Sequence, residues 1–246
     1  MTAAAARNAD VLTRLQRGLE TLYRIETHLD IRHYIVSEQE RSRTLDADGD
    51  RGSAPARGEA GREGREGCER RPREQLLVSH AGEELCLGLY LDAAALANLE
   101  RHDPHGGLGA HNFGDFCLAI EGVSHFIYVA LCAAADRTVT ALELELQAEV
   151  DKYVSCVLLD QGTTRPPRQL RALLFDDVQY ANDLGPVERA RYQTANREAR
   201  QYAEALERKY LLPGDAPHLH GLLAELRQFY RLPLDAKLGH IARTAA

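Results

Sequence analysis

Glu121 and His125 lie four residues apart in a stretch, Asn112 to Ala135, that contains no Lys or Arg. On a helix this spacing puts the carboxylate and the imidazole side by side on one face. Glu149 falls in the following amphipathic segment, at the edge of its apolar stripe, with Glu145 one turn before it. An inward Glu121/His125/Glu149 set suits a divalent metal (iron, manganese or zinc) or the movement of a proton. Helical bundles that build carboxylate-bridged metal sites use Glu-x-x-His on facing helices. Here the spacing is one residue longer, and no second copy accompanies it. Structural ion pairs occupy such places as well, so pairing of Glu121 and His125 with an arginine or with each other is the competing reading.

Three other groups of residues are weaker. His102, His105 and His111 could gather around zinc, but no cysteine accompanies them and a loop does not hold their geometry. Gly106-Gly107-Leu108-Gly109 precedes a helix start, where backbone N–H groups can hold a phosphate, yet it matches neither a Walker loop nor a dinucleotide fingerprint. Tyr192, Asn196 and Tyr202 could line a polar pocket on a helix whose Ala face packs inward. No G-x-S-x-G, H-E-x-x-H or Cys-His nucleophile pattern appears.

The elements that must position these groups are mostly helical. Residues 8–27 repeat apolar side chains at helical spacing (Val11, Leu12, Leu15, Leu19, Leu22). Residues 74–91 read as a hairpin, because Leu85, Leu87, Leu89 and Leu91 alternate with Glu84, Cys86, Gly88 and Tyr90. A two-stranded hairpin alone is marginal, and the β-formers near 31–37 can supply a third strand. Asp92 caps a short helix. Asn112 with Asp115 resembles a capping box for the central helix, and Thr140 with Glu143 forms one for the next. The short link between these two helices predicts an antiparallel pair. Further helices follow from Pro186, over 218–231 and from Asp235.

Residues 41–73 differ in kind: Gly, Arg and Glu dominate, and Leu45 is the one large aliphatic side chain. Such a segment cannot bury enough apolar area to offset its ordering entropy, which predicts a disordered insertion. The net charge of -7 argues against a nucleic-acid surface. Five isolated cysteines and no signal-like N-terminus point to a reduced, cytoplasmic setting. Glu121, Ser124 and His125 interrupt the apolar run 116–135, so a buried helix is expected rather than a membrane span. Lysine occurs only at 152, 209 and 237 in an arginine-rich chain, which reads as codon bias.

Together these features predict a predominantly α-helical α+β fold: a helical bundle with a small N-terminal antiparallel sheet, residues 1–246 forming one domain interrupted at about 41–73. With no catalytic signature, the leading expectation is a non-enzymatic binding or adaptor protein with a protein partner or a second copy of itself. The alternative is a metal-dependent helical-bundle enzyme of oxidase type using Glu121, His125 and Glu149.

Overall fold

Phe116, Ile120, Val123, Phe126 and Ile127 are each no more than 2% exposed, and the rest of the chain is arranged around the helix that carries them. In this computed structural model the described residues are 3–50, 72–81, 84–160, 165–176, 178–180, 184–211 and 218–245. They run through α1 (Ala3–Tyr23), α2 (Glu38–Asp50), β1 (Glu74–Ala81), β2 (Glu84–Leu91), α3 (Ala93–Arg101), α4 (Phe113–Ala134), α5 (Ala141–Asp160), α6 (Pro167–Phe175), α7 (Pro186–Leu206), α8 (Leu219–Tyr230) and α9 (Leu234–Ala245). The fold is the mostly helical α+β arrangement expected, with one two-stranded antiparallel sheet among the described residues.

α4 is long and apolar enough to cross a membrane by length and composition, with a mean hydropathy of 1.8, but most of it is buried inside the fold. α1, α3, α5 and both strands pack against it. Each fully buried Phe, Ile or Val on it contributes roughly 1.5–3 kcal/mol. α4 and α5 are antiparallel: Tyr128 meets Glu143, Ser124 meets Asp151 and Glu121 meets Lys152. α7 lies along α5, brought close by the small, buried Ala195, Ala199 and Ala203.

The hairpin pairs Glu74 with Leu91 and Leu76 with Leu89, and turns Leu89 and Leu91 onto α4. Gly122 makes that contact possible. A Cβ there would stand 3.1 Å from side-chain atoms of Glu74, Leu89 and Leu91. The sheet thus rests on the helix at the residue after Glu121 and within reach of His125.

Four expectations are revised. The run near 31–37 is not a full strand. Asp30 caps a short 3-10 turn over Ile31–His33, and only Ile35 bridges to Leu89. Gln16 accepts the buried Ile31 N–H through Oε1 at 3.1 Å, which holds the turn against α1. The stretch 41–73 is helical over its first ten residues, because Ser37 and Glu40 form a capping box that starts α2. Arg41 then anchors α2 to the sheet through Gln75 at 3.0 Å. Residues 51–71 lie outside the described residues, as do the hairpin turn at 82–83 and Pro213-Gly214 after α7.

Asn112 precedes α4 but does not cap it. Its side chain faces backward, accepting from Gly109 N at 2.8 Å and donating to the His102 and Gly107 carbonyls. Asp115 is drawn away to Arg73 and Asn98. At α5, Thr140 Oγ1 accepts the Glu143 N–H at 3.2 Å, but the Glu143 carboxylate turns inward to Tyr128 and Arg137, leaving half a box.

Candidate functional site

α4 presents Glu121 and His125 to α5 on adjacent turns, as their spacing requires. α5 answers with Glu145, Glu149 and Lys152, which share one helical face. β1 contributes Glu74 at its first residue, and α7 contributes Arg191. Four elements therefore converge on one cluster of ionisable side chains.

Lys152 organises half of this cluster. Its Nζ donates to Glu121 Oε2 at 3.0 Å and to Glu149 Oε1 at 2.8 Å. Burial opposes the ammonium charge, yet the two carboxylates outweigh it and raise the Lys152 pKa. Burial likewise works against the Glu121 carboxylate, but Lys152 and His125 hold it below its ordinary value. Glu149 goes the other way: burial raises it, assisted by the negative charge of Glu121.

His125 organises the other half. Nδ1 lies 3.4 Å from Glu74 Oε1, and Nε2 lies 3.8 Å from Glu145 Oε2. Burial pushes the imidazole down, but the bond to Glu74 and the nearby carboxylates win and lift it to about 9. Burial raises Glu74, against the pull of His125. Burial also pushes Glu145 up to about 7, with Glu121 adding to it and His125 opposing. Arg191 Nε faces Glu145 at 3.7 Å. The cluster sets four carboxyls against three cations, of which Arg191 is shared with Glu188 at 3.5 Å. It is a largely charge-paired network set into the wall of the fold, with the Glu121 side chain 25% exposed.

Glu121 and Glu149 thus come together, while His125 faces Glu74 and Glu145 instead. An ammonium group sits between the two glutamates that were expected to share a metal. A cation there already satisfies the negative charge a metal would need, and among the described residues no three His, Cys, Asp or Glu side chains converge as ligands. The arrangement lends no support to the expected iron, manganese or zinc site. The loop histidines do not converge either. His102 and His111 meet edge to face at 4.6 Å, while His105 turns to Asp103. The Gly109 N–H, which could have faced a phosphate, is taken by Asn112.

A second polar centre lies on another face of α5, where Glu143, Gln147 and Asp151 are all buried. Asp151 accepts from Tyr23, from Ser124 at 2.5 Å and from Gln147 at 2.8 Å. Glu143 accepts from Tyr128 and from Arg137, each at 2.7 Å. Lys237, from α9, enters this centre completely buried and donates to Gln147. Its Nζ stands 4.6 Å from the Tyr128 ring centre, 5.0 Å from Phe229 and 5.8 Å from Tyr230. Burial drives Lys237 down to about 7, only partly opposed by Glu143 and Asp151.

Glu74, Lys152, Arg191 and Lys237 were not singled out from the sequence. A signal for the two lysines was present in their scarcity among arginines. No protein-family model, curated protein or solved structure matches the chain.

Proposed function

We propose that this protein is a non-enzymatic binding protein of the cytoplasm. The observation that carries the reading is Lys152 between Glu121 and Glu149. Most ionisable groups of the cluster are engaged with one another, Lys152 with Glu121 and Glu149 and His125 with Glu74. A catalytic centre keeps a nucleophile, a base or an open metal position for its substrate. Internal charge pairing serves instead to hold α4, α5, α7 and the hairpin in register. The unpaired thiols of Cys86, Cys117, Cys132 and Cys156 suit a reduced compartment. Recognition then falls to the surface, where Val187 is 79% exposed at the start of α7 and Leu173 and Leu219 are half exposed.

The test is to equilibrate the purified full chain with a small-molecule cell extract and follow retained and free compounds by mass spectrometry. The expected result is retention of a compound that is released unaltered, both by the protein and by its Glu121→Gln and His125→Gln variants. Consumption of a compound that stops in either variant overturns the reading. So does a stoichiometric bound metal that those variants lose.

A further inference from the structure

A cavity of about 310 Å³ opens between the C-terminal end of α7, α8 and α9. Its floor is apolar, made by Ala205, Leu206 and the Tyr202 ring. α7 does not end there as an α-helix. Residues Glu207–Leu211 continue it as a wider π-helical turn, a feature that recurs at functional sites. That turn carries Arg208, Lys209 and Tyr210 to the cavity rim.

The wall is built. A Cβ at Gly221 would lie 2.9 Å from Tyr210 Cε1, so only glycine lets the Tyr210 ring lie against α8. The Tyr202 ring stacks on Phe229 at 4.1 Å. Both phenols are fixed by Glu225. Its Oε1 accepts from Tyr202 at 3.3 Å and faces His240 Nε2 at 2.5 Å, while its Oε2 accepts from Tyr210 at 3.3 Å and faces Lys209 at 3.6 Å.

This pattern decides the sign of the ligand. Each Glu225 oxygen already meets two donors, so the carboxylate has little capacity left for a ligand amine. Donors remain at the rim. Lys209 carries three protons and meets Tyr210 and Glu225, which leaves one, and Arg208 spends one N–H on the Thr244 carbonyl at 3.1 Å. Two cations stand against one carboxylate that His240 also faces. A single negative charge fits, whereas a dianion would meet Glu225 too closely. The volume is at the lower end for small-molecule sites.

We infer that this cavity binds a small monocarboxylate with an apolar or aromatic body, the ring on Ala205, Leu206 and Tyr210 and the carboxylate between Arg208 and Lys209. The inference rests on the binding reading above and names its ligand class.

Calorimetric titration of the full chain with phenylacetate, and with its uncharged twin phenylacetamide, tests it. Phenylacetate is expected to bind one-to-one and at least tenfold tighter than the amide. The Arg208→Gln/Lys209→Gln double variant, altered only at exposed positions, should bring phenylacetate down to the level of the amide. Gly221→Ala should weaken both. Equal affinity for acid and amide, no binding of either, or an unchanged affinity in the double variant overturns the inference. Those outcomes leave the extract experiment untouched, whereas turnover there removes the binding reading itself.

Discussion

Lys152 on α5 is nearly buried, its side chain 11% exposed, and Lys237 packs against α5 completely buried, yet their surroundings push them in opposite directions. Lys152 stands between two carboxylates and stays charged. Lys237 has an amide oxygen and three aromatic rings, with Glu143 and Asp151 acting only from a distance, and its pKa falls to about 7. Burial costs both of them. What differs is whether an opposite charge is within hydrogen-bond reach. Direct pairing keeps an ammonium in the interior; rings and a neutral carbonyl only partly offset burial, and the same side chain gives up its proton far more readily.

The largest effect expected from this difference is a pH response. Lys237 has a folded pKa of about 7, against an unfolded value near 10.4. Between those values the unfolded chain binds more protons, so stability attributable to Lys237 rises as pH rises through the window, by up to about 4 kcal/mol. His125 acts with the opposite sign. Its folded pKa of about 9 lies above the unfolded value, so its contribution is complete below roughly pH 6.5 and is lost as pH rises through 9. The two overlap, so the quantity to measure is the difference between wild type and Lys237→Met in urea unfolding from pH 7 to 10. That difference should move steadily in favour of wild type. A difference that does not change with pH would mean that Lys237 keeps its proton as Lys152 does, and the contrast would be lost.

Substitution at pH 7 tests the same contrast from the other side. Lys152→Met leaves Glu121 and Glu149 facing each other without a cation. Breaking a buried pair costs roughly 3–5 kcal/mol, and the partial exposure of Glu121 reduces this to about 2–4 kcal/mol. The thermal midpoint should fall by about 10 °C for a chain of this size. Adding Glu121→Gln and Glu149→Gln to the same chain should restore more than half of the loss, because the cost is the uncompensated charge. Lys237→Met should stay within about 1 kcal/mol of wild type, since a ring-lined site accepts a thioether. Equal losses for the two methionine variants would refute a difference in pairing.

Much of the frame was legible in the sequence, and the contents of the site much less so. Periodicity located α4, α5 and the hairpin, because each buries one apolar face and the pattern repeats. The 37–40 capping box went unread because the Gly-rich residues beyond it dominated the composition of 41–73. On α5 the search for an apolar stripe passed over Glu143, Gln147 and Asp151, three polar residues at successive turns that point inward. Spacing within one helix brought Glu121 to His125, but nothing in it shows that Glu74, far away in sequence, would take the imidazole. The scarce lysines were the missed signal. All three occur at polar centres, at 152, 237 and the cavity rim at 209. A compact point charge on a flexible stem fits places where a planar guanidinium does not.

The smallest effect concerns Glu145, which lies between His125 and Arg191 but makes no close contact with either. Its folded pKa of about 7 exceeds the ordinary carboxyl value, so the native state holds the extra proton. Stability linked to Glu145 is therefore complete below about pH 4.3 and is lost as pH rises through 7. Glu145→Gln removes that loss while keeping an acceptor for His125, but it also removes a negative charge that His125 and Arg191 use once Glu145 ionises. The pull of those cations is already contained in the folded value of about 7, so the variant keeps a net gain of about 1–3 kcal/mol at pH 8. Urea unfolding of wild type and variant from pH 4.5 to 8 resolves the sign: the two curves should converge at the acid end and separate toward pH 8 with the variant above. A variant that falls below wild type by several kcal/mol at pH 8 would show Glu145 to be as tightly paired as Glu121.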